Sequence, residues 1–205
     1  NALWYHALRC MTGWAEQLGT DGKSYQELAD RCAESFNRRF WIAESGYLYD
    51  VVDGSRGDDR SLRPNQIFAV ALPHPVLDQT RWRSVVDRVE ADLLTSYGLR
   101  TLAPGSPGYA PQYGGDPQRR DSVYHQGTIW PWLLDAYFVA WRRAHPGEAG
   151  PPGVLDSLLG QLTEGGIGSI NEIYDSEAPY HPEGCIAQAW SIAAALRVAA
   201  QSHRE

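Results

Sequence analysis

The chain has 205 residues, of which 43% are hydrophobic, and this is enough to bury the core of one or two domains. Its formal net charge is −7, and Lys and Arg form no run or stripe, so neither a nucleic acid nor a membrane surface is indicated as a partner. No apolar run approaches the roughly 20 residues that a membrane span requires, and no signal peptide is recognisable.

Helical spacing of apolar residues predicts two helices near the start of the chain. The apolar positions of the first helix begin at Leu3 and end before Gly19. Ser24 and Glu27 then have the form of a capping box, which predicts that a second helix begins there and continues to about Phe36. The chain begins with Asn1 rather than Met, and the helical pattern starts at its first residues. Both features indicate a piece of a larger protein.

A short β-hairpin and two further helices are predicted next. Over residues 41–52 apolar and polar residues alternate around the turn Glu44-Ser45-Gly46, a pattern typical of a hairpin. Pro64 suits the first position of a third helix, over residues 64–72. Thr80 can cap a fourth, over residues 80–93.

Three more helices are predicted over residues 127–144, 154–162 and 187–201. They follow a stretch rich in Gly and Pro at residues 103–115. No repeat or linker divides the sequence, so we predict one nearly all-helical domain over residues 1–205.

The lengths of the connections carry a topological prediction. Short connections alternate with three long ones of about twenty residues or more, and long loops inside a compact domain are usually functional. With antiparallel neighbouring helices, this alternation places every long loop at the same end. The sequence therefore predicts an all-α fold of the α/α-toroid type, with a cleft at the loop-rich end.

One segment concentrates chemistry that suits sugars. Residues 121–133 read DSVYHQGTIWPWL and combine a carboxylate, a phenol, an imidazole and an amide with two Trp. The alternative is an ordinary loop whose Trp side chains belong to the core. Composition leaves the same choice open, because eight Trp and eleven Tyr against four Phe suit either a wet, ligand-lining surface or a well-bonded core.

A carboxylate-rich cleft lined with aromatic side chains is what glycosidic bond hydrolysis requires. Glu172 is the best candidate catalytic group, because it follows a Gly-rich stretch and lies among apolar neighbours; the alternative is a solvated loop Glu. Arg63, Asn65 and Gln66 either donate to sugar hydroxyls or bind nearby loop carbonyls and Asp59. His125 either contacts substrate or fastens its loop.

No metal ion and no cofactor are expected. No GxSxG-like nucleophile setting occurs, the histidines form no HxxxH pair, and Asp121 with His125 is only a weak candidate for a metal. The three cysteines are far apart and include no CxxC motif. They therefore predict free thiols in a reducing, cytoplasmic compartment.

Seven segments, in order along the chain, resemble the C-terminal amylo-α-1,6-glucosidase domain of glycogen debranching enzymes. They are NALWYHAL, SGYLYDVVDG, SLRPNQIFAVALP, YGLRTL, YHQGTIWPWLL, INEIYD and GCIAQAWSIA. The resemblance covers the chain from Asn1 to about Leu196. RPNQIFA, YHQGTIWPW and AQAWS are specific in combination, although each alone would be weak.

The resemblance implies an (α/α)6 barrel, of which about seven of twelve helices are present. It implies inverting hydrolysis of the α-1,6-linked glucose at a trimmed branch point, with branched α-glucan (glycogen or limit dextrin) as the partner. The family's general base falls on Glu172. Its general acid is an Asp in a Trp-Met-Asp segment before the NALWY helix, so the N-terminal remainder of the polypeptide is expected to supply it. Relatives often have Gly where this chain has Ser176, which leaves that turn open.

The same resemblance suggests the substrate-binding residues. Most would orient glucosyl hydroxyls, and Tyr124, Trp130 and Tyr174 would offer stacking surfaces. The full set is Asp59, Arg63, Asn65, Gln66, Asp121, Tyr124, His125, Gln126, Trp130, Tyr174 and Asp175. Two rival interpretations are a non-catalytic carbohydrate-binding fragment and another α/α-toroid enzyme, either an epimerase or a different glucosidase.

Overall fold

A computed structural model describes residues 1–202 and shows a predominantly helical chain. The α-helices of this part are α1 Ala2–Gln17, α2 Lys23–Arg39, α3 Phe68–Ala71, α4 Trp82–Leu93, α5 Pro117–Val123, α6 Leu133–Ala144, α7 Val154–Gly160 and α8 Ala189–Ser202. Short 3-10 turns flank three of them, at Pro64–Ile67, Gln79–Arg81 and Gln161–Thr163. Among these helices, none combines the length and the apolar character needed to cross a bilayer.

Helix α6 lies at the centre of the core and contacts α3, α4 and α8. It is apolar around most of its circumference, and Leu134, Tyr137 and Ala140 are fully buried. Two polar aromatic side chains of α6 donate hydrogen bonds to the same carboxylate on α4. The Tyr137 hydroxyl and the Trp141 indole N–H donate to Glu90 Oε2 over 2.8 and 3.0 Å. Because buried donors need acceptors, Glu90 stabilises the α4–α6 contact.

The first long connection contains two hairpins. Strands β1 Trp41–Ile42 and β2 Tyr47–Leu48 pair in antiparallel fashion, which confirms the predicted hairpin. Gly46 has a φ of 71° in its turn, a conformation that glycine adopts without strain. A second hairpin, which the sequence did not reveal, pairs β3 Val51–Gly54 with β4 Gly57–Asp59.

A four-stranded antiparallel sheet joins the other two long connections. Its order is β5 Leu99–Arg100, β6 Ile129–Trp130, β7 Ile173–Tyr174 and β8 Pro182–Glu183. The second long connection supplies β5 and β6, and the third supplies β7 and β8. The sheet therefore brings these two connections to the same end of the helices, as the alternation of loop lengths predicts.

Several local predictions need correction. The helix predicted over residues 127–144 begins only at Leu133, because residues 129–130 form β6 and pair with β5 and β7. Helix α5 lies in a stretch predicted to be irregular, and the Asp116 side chain caps it by accepting from Arg119 N. Neither predicted N-cap is correct: α2 follows Gly22, and the turn before α4 is capped by Asp78, which accepts from Thr80 N.

Candidate functional site

Glu172 lies at the loop-rich end, immediately before β7, and its backbone N–H donates to the Cys185 carbonyl. Its half-buried carboxylate accepts three hydrogen bonds. Oε1 accepts from the Tyr124 hydroxyl at 2.7 Å and from Gln188 Nε2 at 3.1 Å. Oε2 accepts from Cys185 N at 3.0 Å. An ionised carboxylate only accepts hydrogen bonds, so three convergent donors suit the charged form and fix its orientation.

The surroundings of Glu172 constrain it further. Burial, followed by the hydrogen bond and the charge of Glu172, raises the pKa of Tyr124, so this phenol stays protonated and remains a donor. On the other side, Gly184 has a φ of 69°, and a Cβ atom there would lie 2.5 Å from Glu172 Oε2. Only glycine leaves room for the carboxylate in this position.

Arg63 connects the first long connection to the second. Its Nη1 atom donates to the carbonyl oxygens of His125 at 2.7 Å and Thr101 at 3.1 Å, and Nη2 donates to Gln126 Oε1 at 3.0 Å. Its Nε atom lies 3.3 Å from Asp50 Oδ2, and both side chains are largely buried. A guanidinium presents five donors in a rigid fork, which explains how one side chain can bind four groups.

Asp50 is a carboxylate of the cleft that the predicted set omits. Burial raises its pKa above the usual value, while the positive charge of Arg63 opposes that shift. Asp50 and Arg63 both line a cavity of about 410 Å³, together with Asn65 and Gln66 and the first residues of α1. The ion pair therefore faces a space into which a ligand could enter.

Aromatic rings form one wall of a second cavity, of about 280 Å³, that shares Arg63 and Asn65 with the first. His125 stacks on Trp130 with ring centroids 5.2 Å apart, and Trp132 stacks on Trp190 at 5.1 Å. Trp190 remains 45% exposed, so part of this residue is accessible to a ligand. Flat apolar faces beside polar groups suit the C–H surfaces and hydroxyls of a sugar.

The charge state of His125 follows from its position in this wall. Burial is the main cause that lowers the pKa of its imidazole, Arg63 adds to this, and Glu172 opposes it. The ring is therefore neutral near pH 7 and can both donate and accept one hydrogen bond. The backbone carbonyl of the same residue binds Arg63, so His125 also fastens its loop.

The structure places some of the predicted residues outside the cleft. Tyr174 is fully buried and packs against Tyr97, with ring centroids 4.7 Å apart, so it offers no free face for stacking. Asp175 is buried and accepts from Tyr113 N at 2.7 Å, which is a structural role. Asp121 lies exposed on α5, and its side chain forms no hydrogen bond or ion pair with any residue of the described chain.

Other predicted residues belong to the long connections. Asn65 and Gln66 line the larger cavity, whereas Asp59 and Gln126 line neither. Asp59 is half-buried, and bonds from Ser61 are the main cause that lowers its pKa. Gln66 accepts from Leu48 N and donates to the Arg63 carbonyl, and Gln126 accepts from Arg63. Asn65 is exposed and lines both cavities. These residues hold the cleft in shape, and Asn65 is the freest to contact a ligand.

Sequence reasoning missed Gln188 and Trp190, although their segment AQAWS was among those that carry the resemblance. Gln188 donates to Glu172, and Trp190 lines the smaller cavity at the start of α8. Trp132 was treated only as part of a motif, yet it connects Phe68 and Trp190 through stacked rings. The segment was the available signal, but it does not say which of its side chains face the cleft.

Comparison with solved structures shows a shared fold. A GH63 mannosylglycerate hydrolase from Thermus thermophilus, solved with Tris and D-glycerate, is 20% identical with a TM-score of 0.66, and the alignment covers 97% of this chain and 44% of that one. Neutral trehalase Nth1 from Saccharomyces cerevisiae is 14% identical with a TM-score of 0.69, covering 100% and 38%. The predominantly helical fold is thus of the α/α-toroid class.

This chain accordingly spans less than half the length of those solved relatives. Its sequence also matches a family described as Amylo-alpha-1,6-glucosidase, and that match extends over residues 1–197. It covers Glu172, the Arg63 contacts and the aromatic wall alike. On this match over nearly its whole length, the chain belongs to the amylo-alpha-1,6-glucosidase family.

Proposed function

We propose that this chain is part of an inverting glycoside hydrolase that removes α-1,6-linked glucose at glycogen branch points, with Glu172 as the general base. The observation that carries the proposal is the carboxylate of Glu172, held by three donors next to a cleft with an aromatic wall. A general base must be held in position and able to accept a proton, and three donors that converge on this carboxylate support both requirements.

In the proposed mechanism a glucosyl unit lies against Trp190, with Asn65 and His125 next to its hydroxyls. Trp130, predicted as a stacking surface, is only 4% exposed and instead supports the His125 ring. Glu172 takes a proton from a water molecule, which attacks the anomeric carbon from the face opposite the leaving chain. Tyr124 and Gln188 keep the carboxylate aimed at that water. Inversion requires a second carboxyl group roughly 6.5–9.5 Å from the first to protonate the leaving oxygen.

We assign that general acid, and the rest of a twelve-helix barrel, to the N-terminal remainder of the polypeptide. The exposed apolar surface supports this assignment. On α1, Trp4, Trp14 and Leu18 are 57%, 56% and 77% exposed, and on α8 Leu196 is 67% exposed. Exposed apolar stripes of this size are typical of surfaces that another part of a protein covers. Completing the barrel would bury both helices.

The test uses the full-length polypeptide and phosphorylase-limit dextrin. The wild-type protein should release free glucose, and NMR should detect the β-anomer first, as inversion of an α-linkage requires. Glu172→Gln should lower kcat by about 10²–10⁴, the usual contribution of a general base. Glu177→Gln changes an exposed carboxylate of the same loop and should leave kcat unchanged. A Glu172→Gln variant that keeps most of its activity would remove the assigned role.

A second candidate is a glycosidase for another linkage, favoured by the similarity to a mannosylglycerate hydrolase and a trehalase. Assays with mannosylglycerate and trehalose distinguish it from debranching activity. An epimerase would release no glucose, and a binding fragment would bind α-glucan without turnover. A cytoplasmic location belongs to the same proposal, because Cys10, Cys32 and Cys185 are all free.

A further inference from the structure

Two histidines and a cysteine meet between α1 and the connection that follows α3. His6 and Cys10 lie one turn apart on α1, and residues four apart on a helix share a face. The Nδ1 atoms of His6 and His74 are 2.9 Å apart, and Cys10 Sγ lies 3.7 Å from His6 Nε2. One ligand atom from each side chain can be chosen so that all lie within 4.8 Å of one another. All three side chains are half-buried.

We propose that His6, Cys10 and His74 bind a transition-metal ion of borderline softness, for which Zn²⁺ is the representative. Imidazole nitrogen and thiolate sulfur are the ligands that zinc prefers. Bond lengths of about 2.0–2.3 Å in tetrahedral geometry separate neighbouring ligand atoms by roughly 3.3–3.7 Å. With Nδ1 as the His6 ligand atom, the separations are 2.9 Å to His74 Nδ1 and 3.9 Å to Cys10 Sγ, so side-chain shifts of about half an ångström would reach this geometry. The cluster contains no carboxylate, so it does not suit Mg²⁺ or Ca²⁺.

Metal binding would displace protons from these three side chains. The contact between the two Nδ1 atoms requires one ring to donate and the other to accept, so one proton lies between them. Metal binding at both Nδ1 atoms would move that proton to the other ring nitrogen, and binding by the thiolate would release the Cys10 thiol proton.

This site differs from the sequence-based expectation of no metal. That expectation considered histidine pairs, CxxC motifs and Asp121 with His125, whereas the first pair here is His6 and Cys10 on one helix face. The third ligand, His74, lies 68 residues from His6 along the chain, and only the fold brings it near. Sequence spacing therefore could not reveal this set.

The site lies apart from the candidate active site. His74 follows α3, whereas Arg63 and Asn65, which line the cleft, precede it at the other end of the same element. A bound ion would link α1 to the connection between α3 and α4. Three protein ligands leave one position for water, and binding to the folded protein would raise its Tm. The proposal does not depend on the proposed function.

The test measures Zn²⁺ binding to the purified, metal-free full-length protein by isothermal titration calorimetry, and Co²⁺ binding by absorbance. We expect a Zn²⁺ ion bound at this site with a rise in Tm, and a near-ultraviolet thiolate-to-Co²⁺ band. Cys10→Ser should abolish the band. His74→Asn should weaken Zn²⁺ affinity by more than about 100-fold, because even groups that only support ligands contribute 10–100-fold.

The matched control is Cys32→Ser, which removes another half-buried helical thiol and should change neither the band nor the affinity. Circular dichroism verifies that each variant is folded, and His74→Asn serves as an independent variant because His74 lies outside the helices. Failure of the wild-type protein to bind Zn²⁺ would overturn the proposal. So would equal affinity in the wild-type and His74→Asn proteins.

Discussion

Two glutamates with similar hydrogen-bond partners lie in different parts of this molecule. Glu90 accepts from Tyr137 and Trp141 between the packed helices α4 and α6. Glu172 accepts from Tyr124, Cys185 and Gln188 among the long connections, and the Tyr124 ring contacts Trp130 of the smaller cavity. The comparison shows that hydrogen bonds alone do not identify a functional carboxylate. Position separates the two, because Glu90 lies between packed helices whereas Glu172 lies at the loop-rich end, next to the aromatic wall.

The largest expected effect is on stability and concerns Glu90. Glu90→Ala leaves the buried Tyr137 hydroxyl and Trp141 N–H without their acceptor, and each such group costs about 1–3 kcal/mol. The free energy of unfolding should fall by roughly 2–6 kcal/mol in urea titrations. The kcat per folded molecule should not change. A loss of activity without a loss of stability would show that Glu90 contributes to catalysis rather than to the core, and the distinction between the two glutamates would be wrong.

Arg63→Lys tests whether the cleft depends on its guanidinium. A lysine cannot reproduce the fork that binds His125 O, Thr101 O and Gln126 Oε1 together. We expect a loss of about 1–3 kcal/mol in unfolding free energy, together with weaker binding of oligosaccharide. Arg38→Lys, at an exposed helical position, is the control and should change neither quantity. An unaffected Arg63→Lys protein would show that the connections hold together without this side chain.

Trp190→Ala should affect ligand binding more than stability, because nearly half of this ring is exposed. Loss of a stacking face typically costs about 0.5–1.5 kcal/mol, which is roughly 2- to 12-fold in Kd for a malto-oligosaccharide. Calorimetric titration of the full-length protein measures it, and Trp190→Phe should retain most of the affinity. Equal affinity of the alanine variant and the wild type would exclude Trp190 from the sugar-binding surface.

The smallest effect concerns pH and Asp50. Because burial raises the pKa of Asp50 above its usual 3.8, the protonated form is favoured by folding. Its stabilising contribution is present below that value and is lost as pH rises through the raised pKa. Asp50→Asn cannot titrate, so its stability relative to wild type should increase from acid to neutral pH in urea titrations. A difference that stays constant or declines over this range would contradict the assigned burial.

The long-range prediction from sequence was better than the local ones. Loop lengths correctly predicted that the long connections meet, and the Arg63 bonds to the Thr101 and His125 carbonyls are one result. The strand at Trp130 was missed because two-residue strands have no measurable period and the helical pattern of α6 extends across it.

The errors in the predicted site residues have a similar cause. Tyr174 and Asp175 are adjacent to the Glu172 segment, yet both are buried in structural contacts, because neighbours in sequence do not share one face. His74 was missed since its partner His6 is 68 residues away, and Asp50 was left out because the sequence does not show which of several loop carboxylates pairs with Arg63. Pair distances of this kind come from the tertiary fold and leave no local pattern. The role of Glu172 stays a prediction that the activity assay decides.

The protonated state of Tyr124 has a consequence for the rate profile of the intact enzyme. Because its pKa is raised well above the usual range, this phenol does not ionise over any pH at which the enzyme would be assayed. Under the proposed mechanism, the alkaline limb of a bell-shaped plot of kcat against pH would therefore not report the Tyr124 phenol. The midpoint of that limb would instead be a measure of the proposed proton donor.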